Sequence, residues 1–321
     1  MRVKITGTGM YAPPRVETAE ELSDRVGKPL EWILERTRVA RRHISDGEQM
    51  DEMGAKAVRQ ALGEGGPPDL LINASLTPVQ LVPDSSVFLL ERLGLEGTPS
   101  FSIHATCLSF LVALHTASGL VSSGAYRRVA VVSSEQSSTS RNLDEPESGV
   151  LLGDGSGAAV IEATPEGEGS ALLAFKMTTW PSGKEHAQIP GCGTRRHPNH
   201  PGTVPRDHLF HMDGPSIYKA ALRRVAVLHR DLFVQAGLTP DDIDLVVPHQ
   251  ASGKAVSAIE RFGYPMDKVV DIVEEYGNCV AASIPMALAT AVAQGRLKRG
   301  DKVLFLGTGA GLSVAGAILR W

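Results

Sequence analysis

Three residues of the chain have the side chains that acyl-transfer chemistry uses, namely Cys107, His249 and Asn278. Cys107 lies in SIHATCLSFLVAL, where a thiol at the start of the apolar helix would meet the positive end of the helix dipole. Such a position lowers the pKa of a thiol to about 3.5–7.5 in known reactive cases. Taken alone, however, a single cysteine in an apolar stretch is more often an inert core residue.

His249 and Asn278 each allow two interpretations. His249 closes the apolar run DLVVP, at a strand end that would deliver its side chain to the edge of a sheet, and a histidine there is structural more often than catalytic. Asn278 lies in YGNCVAASIP, before a helix that we expect to begin near Ala281, and asparagine caps such helices well. Brought to one point, a thiol, an imidazole and an amide would form an acyl-transfer site.

The segments that must position these residues alternate in character along the chain. Four short apolar runs predict buried strands, at residues 69–75, 128–135, 244–250 and 302–309. Helical patterns lie between them, at residues 110–123 and 283–294. Such alternation predicts α/β layers with buried sheets. The stretch 180–212 is rich in Pro, Gly and His, and it predicts a loop insertion.

Two parts of the chain have similar patterns. ALGEGGPPDLLINAS in the first half parallels QAGLTPDDIDLVVPHQAS in the second. The blocks that carry Cys107 and Asn278 are also parallel, since each runs from a strand end through a helix and a basic turn into a strand. We therefore predict two halves of the same architecture, residues 1–165 and 166–321. Packed face to face, these halves would bring Cys107 close to His249 and Asn278.

The composition restricts the classes of protein to which the chain can belong. Its 321 residues include 32 Lys and Arg against 36 Asp and Glu, without a basic block, so no nucleic-acid partner is expected. Three cysteines form no disulfide framework and no CxxC pattern, which is typical of a reducing compartment. The start MRVKITGTGMYAPP lacks the apolar stretch of a signal peptide, and no run of about 18 apolar residues occurs. We expect a soluble cytoplasmic protein without a membrane segment.

Glycine-rich and histidine-rich stretches do not predict a nucleotide or metal site. In GTGMYA, the following Pro13 and Pro14 forbid the helix that would hold a pyrophosphate. GDGSGAAV and GTGAGLS lack the lysine of a phosphate-binding loop, and tight turns explain them. GTGAG can also point bare backbone N–H groups at a reacting oxygen. The histidines between residues 186 and 211 match no helix-based ligand pair, so no metal is predicted.

Over essentially its full length, the chain resembles the β-ketoacyl-acyl-carrier-protein synthase III branch of the thiolase superfamily. The resemblance rests on blocks that occur in the order typical of that family: EWILERT, GDGSGAAV, AGLTPDDIDLVVPHQA, YGNCVAASIPMAL and GAGLS. It implies a thiolase-like five-layered αβαβα fold of two duplicated halves, and a homodimer. It further implies that acyl-coenzyme A or an acyl carrier protein, with a malonyl thioester, supplies the substrates, and that no metal or redox cofactor is needed.

The resemblance also implies roles for residues of this chain. Cys107 would be the acylated nucleophile, and His249 and Asn278 would assist the decarboxylation of a malonyl thioester. The N–H groups of Cys107 and Ala310 would form the oxyanion hole. The remaining matched positions would contact the substrate: Trp32 and Arg36 the nucleotide of coenzyme A, Gly214 and Tyr218 the pantetheine arm, and Val82 the end of the acyl pocket.

Several positions depart from the family pattern. Ser252, also expected to contact the substrate, and Lys254 replace an Asn and an Arg that are common after His-Gln-Ala. Residues 144–150, DEPESGV, lack the arginine that usually stacks on the adenine. Leu108 and Ser109 follow the nucleophile where a small residue and Gly are usual. These differences leave the catalytic set unchanged and concern the binding of coenzyme A and of the donor protein.

The predicted function is decarboxylative Claisen condensation through an acyl-cysteine, in fatty-acid or specialised acyl or polyketide biosynthesis. An acyltransferase that moves the acyl group from Cys107 to an oxygen or nitrogen acceptor is one alternative, but Asn278 favours condensation. Condensation without decarboxylation needs a base such as a Glu, and LTPVQLVPDSS offers only Asp84. A non-catalytic partner subunit is an alternative of another class, and the complete Cys, His and Asn set argues against it.

Overall fold

The structure, a computed structural model, describes residues 1–321 and contains thirteen β-strands and ten α-helices. The strands, in chain order, are β1 (Val3–Tyr11), β2 (Val16–Thr18), β3 (Arg41–His43), β4 (Leu70–Asn73), β5 (Ser100–Ser102), β6 (Arg128–Gln136), β7 (Asp154–Ala163), β8 (Ala171–Thr179), β9 (Ala187–Gln188), β10 (His211–Met212), β11 (Leu245–Pro248), β12 (Lys302–Gly309) and β13 (Ser313–Arg320). The α-helices are α1 (Ala19–Val26), α2 (Leu30–Thr37), α3 (Met50–Leu62), α4 (Ser85–Leu93), α5 (Ser109–Ser122), α6 (Pro146–Gly149), α7 (Gly214–Ala236), α8 (Gly253–Ser257), α9 (Val273–Tyr276) and α10 (Ser283–Ala293).

Two large sheets repeat one arrangement of strands. The first has the order β1-β7-β6-β4-β5, and the second has the order β8-β13-β12-β11. In each sheet a parallel pair, β4 with β6 or β11 with β12, is followed by two antiparallel pairs. The duplicated architecture predicted from the sequence is therefore confirmed, with β5 as an additional edge strand of the first sheet.

The helices and the two sheets form five layers. Helix α3 packs on the outer face of the first sheet, α5 and α10 lie between the two sheets, and α7 covers the outer face of the second sheet. The central helices are apolar on nearly all sides, as a helix covered by sheets on both faces must be. In α7, by contrast, buried Val225, Leu228 and Leu232 follow helical spacing on one face only. The predicted five-layered fold is confirmed.

The two halves share their largest apolar core. This cluster of 34 buried residues includes Leu70 and Leu111 from the first half and Leu288 and Phe305 from the second. Strand β7 ends at Ala163 and β8 begins at Ala171, so the predicted boundary at 165/166 falls in the connection between the sheets. The packing around α5 and α10 therefore holds the two halves in a fixed relation to each other.

The predicted elements agree closely with the observed ones. The four apolar runs form β4, β6, β11 and β12, and the two helical patterns form α5 and α10. The stretch 180–212 is largely irregular, with only the two-residue strands β9 and β10 and short 3₁₀ turns.

No group of three or more His, Cys, Asp or Glu side chains is arranged to hold a metal ion. None of the helices has the length and apolar character needed to cross a membrane.

Candidate active site

One cavity of about 460 Å³ brings together the three predicted catalytic side chains. Cys107, His249 and Asn278 line it, and so does Ala310, the second predicted oxyanion-hole residue. The first sheet and α5 position Cys107, whereas the other three residues belong to the second half of the chain. The site therefore lies where the two halves meet.

Cys107 lies in a 3₁₀ turn, Thr106–Leu108, that leads into α5. Thr106 has a positive φ of 52°, which turns the chain sharply before the nucleophile. The bulky Leu108 is fully buried against β12, where a Cβ atom on Gly307 would lie 2.7 Å from its Cδ2 atom. A glycine in the neighbouring strand thus provides the space for the leucine that departs from the family pattern.

The pKa of the Cys107 thiol differs from the sequence expectation. Burial raises it to about 12, and the nearby carboxylate of Glu135 contributes to the rise. Hydrogen bonds from the backbone N–H groups of Ala310 and Cys107 act in the opposite direction. The expected lowering by the helix start is wrong, because desolvation of the charged sulfur outweighs these hydrogen bonds. Both N–H groups therefore lie beside the sulfur, near the place where a thioester attacked by Cys107 would put its carbonyl oxygen.

Glu135 is a buried acid near the nucleophile that the sequence analysis did not select. It is fully buried in β6, and its carboxylate accepts hydrogen bonds from the N–H groups of Leu76 at 2.5 Å and Thr77 at 3.3 Å. Burial raises its pKa to about 8. Leu76 and Thr77 line the cavity, so Glu135 supports the cavity wall from behind. A charge that ends the apolar run VAVVSSE is the signal in the sequence that marks it.

His249 follows β11 directly, and hydrogen bonds fix both its own backbone and the side chain of the next residue. Its backbone N–H donates to Leu306 O at 2.8 Å, and its side chain is buried. The next residue, Gln250, donates to Pro248 O at 2.9 Å and to Val270 O at 3.0 Å. Burial lowers the pKa of His249 to about 4. The ring is therefore neutral near pH 7 and carries one N–H, which suits a hydrogen-bond donor that adds no charge.

Asn278 performs the capping role and keeps a free donor as well. Its Oδ1 atom accepts the Val280 N–H at 2.9 Å, at the start of the 3₁₀ turn that precedes α10. This bond orients Nδ2 toward Ala251 O, 3.4 Å away, beside His249. An amide nitrogen carries two N–H donors, so one remains for a ligand in the cavity. The two interpretations of this asparagine are compatible with each other.

Two glycines allow the Asn278 turn to pack against the end of the first half. Gly277 has φ 66° and ψ −152°, and a Cβ atom there would lie 2.5 Å from Leu151 O. A Cβ atom on Gly153 would lie 2.4 Å from Tyr276 O. Only glycine tolerates such an approach of two backbones. The close contact lets the Asn278 N–H donate to Leu151 O at 2.8 Å and fixes the turn at the cavity.

A second, apolar cavity of about 170 Å³ adjoins the first at His249. Gly214, Tyr218 and Ser252, all predicted to contact the substrate, line it. Ser252 also caps α8, because its Oγ atom accepts the Ala255 N–H at 3.3 Å. The two cavities share lining residues, so they lie side by side at His249.

The other predicted substrate contacts lie outside both cavities. Trp32 and Arg36 are on α2, with the Arg36 guanidinium 5.9 Å from the centre of the indole ring. The Nζ atom of Lys28 lies 5.4 Å from the centre of the same ring. Val82 is 77% exposed on the loop between β4 and α4, and it lines no wall of either cavity.

Asp84, the one acid that the sequence offered as a base, has a structural role. Its Oδ1 atom accepts the Ser86 N–H at 2.9 Å and the Ser102 hydroxyl at 2.9 Å, and so caps α4. Partial burial raises its pKa, but these hydrogen bonds outweigh that effect, so the pKa is lowered overall. Asp84 lines neither cavity, so it is not placed to remove a proton from a bound substrate.

Comparison with known proteins gives consistent matches. The profile of 3-oxoacyl-[acyl-carrier-protein] synthase III matches residues 101–181, and its C-terminal profile matches residues 233–321. The chain is 34% identical over 327 residues to β-ketoacyl-[acyl-carrier-protein] synthase III of Solibacter usitatus, covering 100% of this chain and 99% of the relative.

Solved structures match over the same extent. The 3-oxoacyl-[acyl-carrier-protein] synthase III from Aquifex aeolicus is similar with a TM-score of 0.90 and 32% identity, covering 99% of this chain and 100% of that one. The priming β-ketosynthase of the R1128 polyketide pathway is similar with a TM-score of 0.89 and 28% identity, covering 99% and 95% of the two chains.

Proposed function

Because the chain belongs to the 3-oxoacyl-[acyl-carrier-protein] synthase III family, we propose that it makes β-ketoacyl thioesters through an acyl group carried on Cys107. One observation carries the proposal. A single cavity contains the Cys107 thiol, the neutral imidazole of His249 and the amide nitrogen of Asn278, and two backbone N–H groups face the sulfur. This set matches the needs of acylation followed by condensation.

In the first step, the Cys107 sulfur attacks the carbonyl carbon of a donor thioester. The thiol is protonated at neutral pH, so it must give up its proton, and the neutral imidazole of His249 is the acceptor in the cavity. The N–H groups of Cys107 and Ala310 stabilise the tetrahedral oxyanion, each by about 3–4 kcal/mol in comparable sites. The donor thiolate then leaves with the proton from His249, which returns the ring to its neutral form.

In the second step, a malonyl thioester binds with its carbonyl oxygen toward His249 and Asn278. The imidazole N–H and the amide N–H stabilise the enolate that forms as carbon dioxide leaves. The enolate carbon attacks the acyl-cysteine, and the Cys107 thiolate departs and takes up a proton from solvent. Acyl thioester, malonyl thioester and one proton thus give β-ketoacyl thioester, thiol and carbon dioxide. No metal or redox cofactor enters this balance.

The fixed orientation of Asn278 favours condensation over simple acyl transfer. Transfer to an alcohol or amine needs a base, and a base must accept a proton. The amide Nδ2 only donates, and its Oδ1 atom is already occupied by the Val280 N–H. A second donor beside His249 serves a step in which negative charge develops on a substrate oxygen, which is the enolate step.

A cationic surface beside the second cavity supports a carrier protein as one donor. Its members are exposed and each adjoins a residue of the cavity wall in sequence: Lys219, Arg223, Lys254 and Arg261. A partner with acidic side chains around its prosthetic arm would be attracted to this surface and would direct that arm into the cavity. Acyl-coenzyme A, with its phosphates toward α2, is the other donor.

The exposed loop between β4 and α4 supports a homodimer. Leu81 and Val82 are 82% and 77% exposed, and Phe101 is also exposed, on the edge strand β5. Apolar side chains on an unpaired sheet edge are normally covered. A second copy of the chain would cover them and would receive Val82 at the end of its acyl pocket.

Intact-protein mass spectrometry with a panel of acyl-coenzyme A thioesters tests the proposal. We expect the protein to gain the mass of one acyl group, located at Cys107, and the preferred acyl group identifies the starter. Cys107→Ser should gain no acyl mass. Absence of acylation with every thioester, free or carrier-bound, would overturn the proposed function.

A further inference from the structure

We propose that Arg38 is a positioning residue that holds helix α2, with Trp32 and Arg36, at a fixed distance from His249. The inference rests on the proposed function, because it takes α2 as the helix that holds the nucleotide end of a coenzyme A thioester. It assigns to Arg38 no contact with the substrate. Arg38 affects substrate binding indirectly, through α2 and through the two segments that hold His249.

The backbone of Arg38 adopts a conformation that favours glycine. It ends α2 with φ 58° and ψ 15°, and its N–H closes the helix by donating to Leu34 O at 2.8 Å. A residue with a Cβ atom is strained in this region and remains there only where the surrounding contacts hold it. The side chain of Arg38 makes such contacts.

The Arg38 guanidinium joins three segments of the chain. Its Nη2 atom donates to Asp271 Oδ2 at 2.7 Å, and its Nη1 atom donates to Ser257 Oγ at 3.0 Å and to Gly253 O at 3.3 Å. Gly253 begins α8 and Ser257 ends it, so both ends of this helix are tied to α2. The planar fork of arginine is suited to holding several acceptors at once.

Gly253 provides the space in which the Arg38 side chain lies. A Cβ atom at position 253 would come within 2.3 Å of Arg38 Cβ and within 2.6 Å of its Cγ and Cδ atoms. Any larger residue at the start of α8 would therefore displace the arginine. The Arg38 side chain thus fills the space that a side chain at position 253 would otherwise occupy.

The contacts of Arg38 end at the segments that hold His249. Gln250, next to His249, donates to Val270 O at 3.0 Å and accepts the Ile272 N–H at 3.0 Å, and Asp271 lies between these two residues. Helix α8 begins shortly after His249 on the other side. Arg38 therefore links α2 to both segments that flank the imidazole of His249. These links keep the distance between α2 and the cavity constant for a thioester that spans them.

The test compares two donors that share one reacting group. Butyryl-coenzyme A reaches from α2 to Cys107, whereas S-butyryl-N-acetylcysteamine carries the thioester without the nucleotide. For Arg38→Gly, whose backbone suits the conformation, we expect KM for butyryl-coenzyme A to rise about tenfold, with kcat for acylation within about twofold. Acylation by the N-acetylcysteamine thioester should stay within about twofold. Arg41→Ala, which removes an exposed arginine paired with Glu275, is the matched control and should change neither donor.

A second variant tests the complementary contact. Gly253→Ala should raise KM for butyryl-coenzyme A in the unchanged protein but not in the Arg38→Gly background, where the clash is absent. Equal losses with both donors, or no change with either, would overturn the inference and leave the proposed function intact. Failure of the unchanged protein to be acylated by either thioester would overturn both.

Discussion

The Oδ1 atom of Asn278 accepts the Val280 N–H at 2.9 Å, and this bond turns the amide nitrogen of Asn278 toward the cavity. Val280 has a positive φ of 47°, as Thr106 does at the equivalent place in the first half, with 52°. Each half thus makes the same sharp turn before a central helix. The first turn presents the nucleophile, and the second presents a hydrogen-bond donor.

The substitution Asn278→Asp separates the role of Asn278 as a hydrogen-bond donor from its role as a helix cap. The aspartate keeps an oxygen for the Val280 N–H and loses the amide N–H groups, so the fold is retained. We expect acylation at Cys107 to persist and condensation to fall by about 10²–10³, the effect of removing one donor to a developing oxyanion. Rapid-quench assays of the two steps give the measurement, with Asn278→Ala as the variant that loses both roles. Condensation at the unchanged rate in Asn278→Asp would support simple acyl transfer instead.

The three cysteines should differ sharply in acylation. Cys107→Ser should abolish covalent acylation, because an alcohol is far less nucleophilic than the thiolate. Cys192 is exposed and Cys279 is buried, and neither lines the cavity that contains Cys107. Cys192→Ser and Cys279→Ser should therefore keep acylation, as peptide mapping of the modified protein will show. An acyl group found on Cys192 or Cys279 in the Cys107→Ser protein contradicts the assignment.

Glu135 should limit the reactivity of Cys107 at alkaline pH. Its pKa is about 8, so above that pH it gains a negative charge, and this charge raises the pKa of the thiol. In Glu135→Gln, alkylation of Cys107 by iodoacetamide should match the parent near pH 6.5 and exceed it several-fold near pH 9.5. The measurement uses the Cys192→Ser background, in which the exposed thiol is absent, and thermal unfolding checks that the variant folds. If the ratio of the alkylation rates of variant and parent does not change with pH, Glu135 and Cys107 are not coupled.

Carrier-protein donors should outcompete coenzyme A donors. No arginine occurs in residues 144–150, so the adenine meets an incomplete stack at Trp32, where a cation–π contact contributes about 0.5–2 kcal/mol. Lys254→Glu should raise KM for an acyl carrier protein thioester by a larger factor than it raises KM for acyl-coenzyme A. The effect should weaken as salt is added, because exposed charges are screened. Equal or better kcat/KM with acyl-coenzyme A in the unchanged protein would refute the preference.

Val82 should set the length of the acyl group through a second copy of the chain. A valine leaves more room than an aromatic residue at the end of the pocket, and each buried methylene of a longer chain gains about 0.8 kcal/mol. We expect medium or branched acyl groups to be accepted, and Val82→Phe to shift the preference toward short ones. Acylation rate against chain length, with light scattering to determine the oligomeric state, gives the measurement. A monomer, or a profile unchanged in Val82→Phe, would show that Val82 does not close a partner's pocket.

The sequence predicts the layers, and the ends of elements that bring the three candidate residues to one cavity, for a physical reason. Strands buried on both faces and helices covered on all sides are continuously apolar, so β4, β12, α5 and α10 are visible as runs. The duplication then aligns their ends, which is where Cys107, His249 and Asn278 lie. Local pattern and fold agree at each of these positions.

The properties that the sequence could not supply depend on three-dimensional burial and on contacts between distant segments. A helix start predicts a lowered pKa for Cys107, but the desolvation that raises it comes from residues of both halves. Glu135 reaches the cavity wall only because β6 lies beside β4 in the sheet. The contact of Arg38 with Gly253 joins positions 215 residues apart, and neither residue is unusual by itself.

A single-turnover experiment with the acylated protein tests the central claim most directly. The protein is acylated at Cys107, freed of donor by desalting, and mixed with malonyl thioester labelled at its methylene carbon. We predict that Cys107 returns to its free mass as one carbon dioxide and one labelled β-ketoacyl thioester appear in equal amounts. Loss of the acyl group without carbon dioxide, or recovery of the acyl group on an alcohol or amine, would contradict decarboxylative condensation.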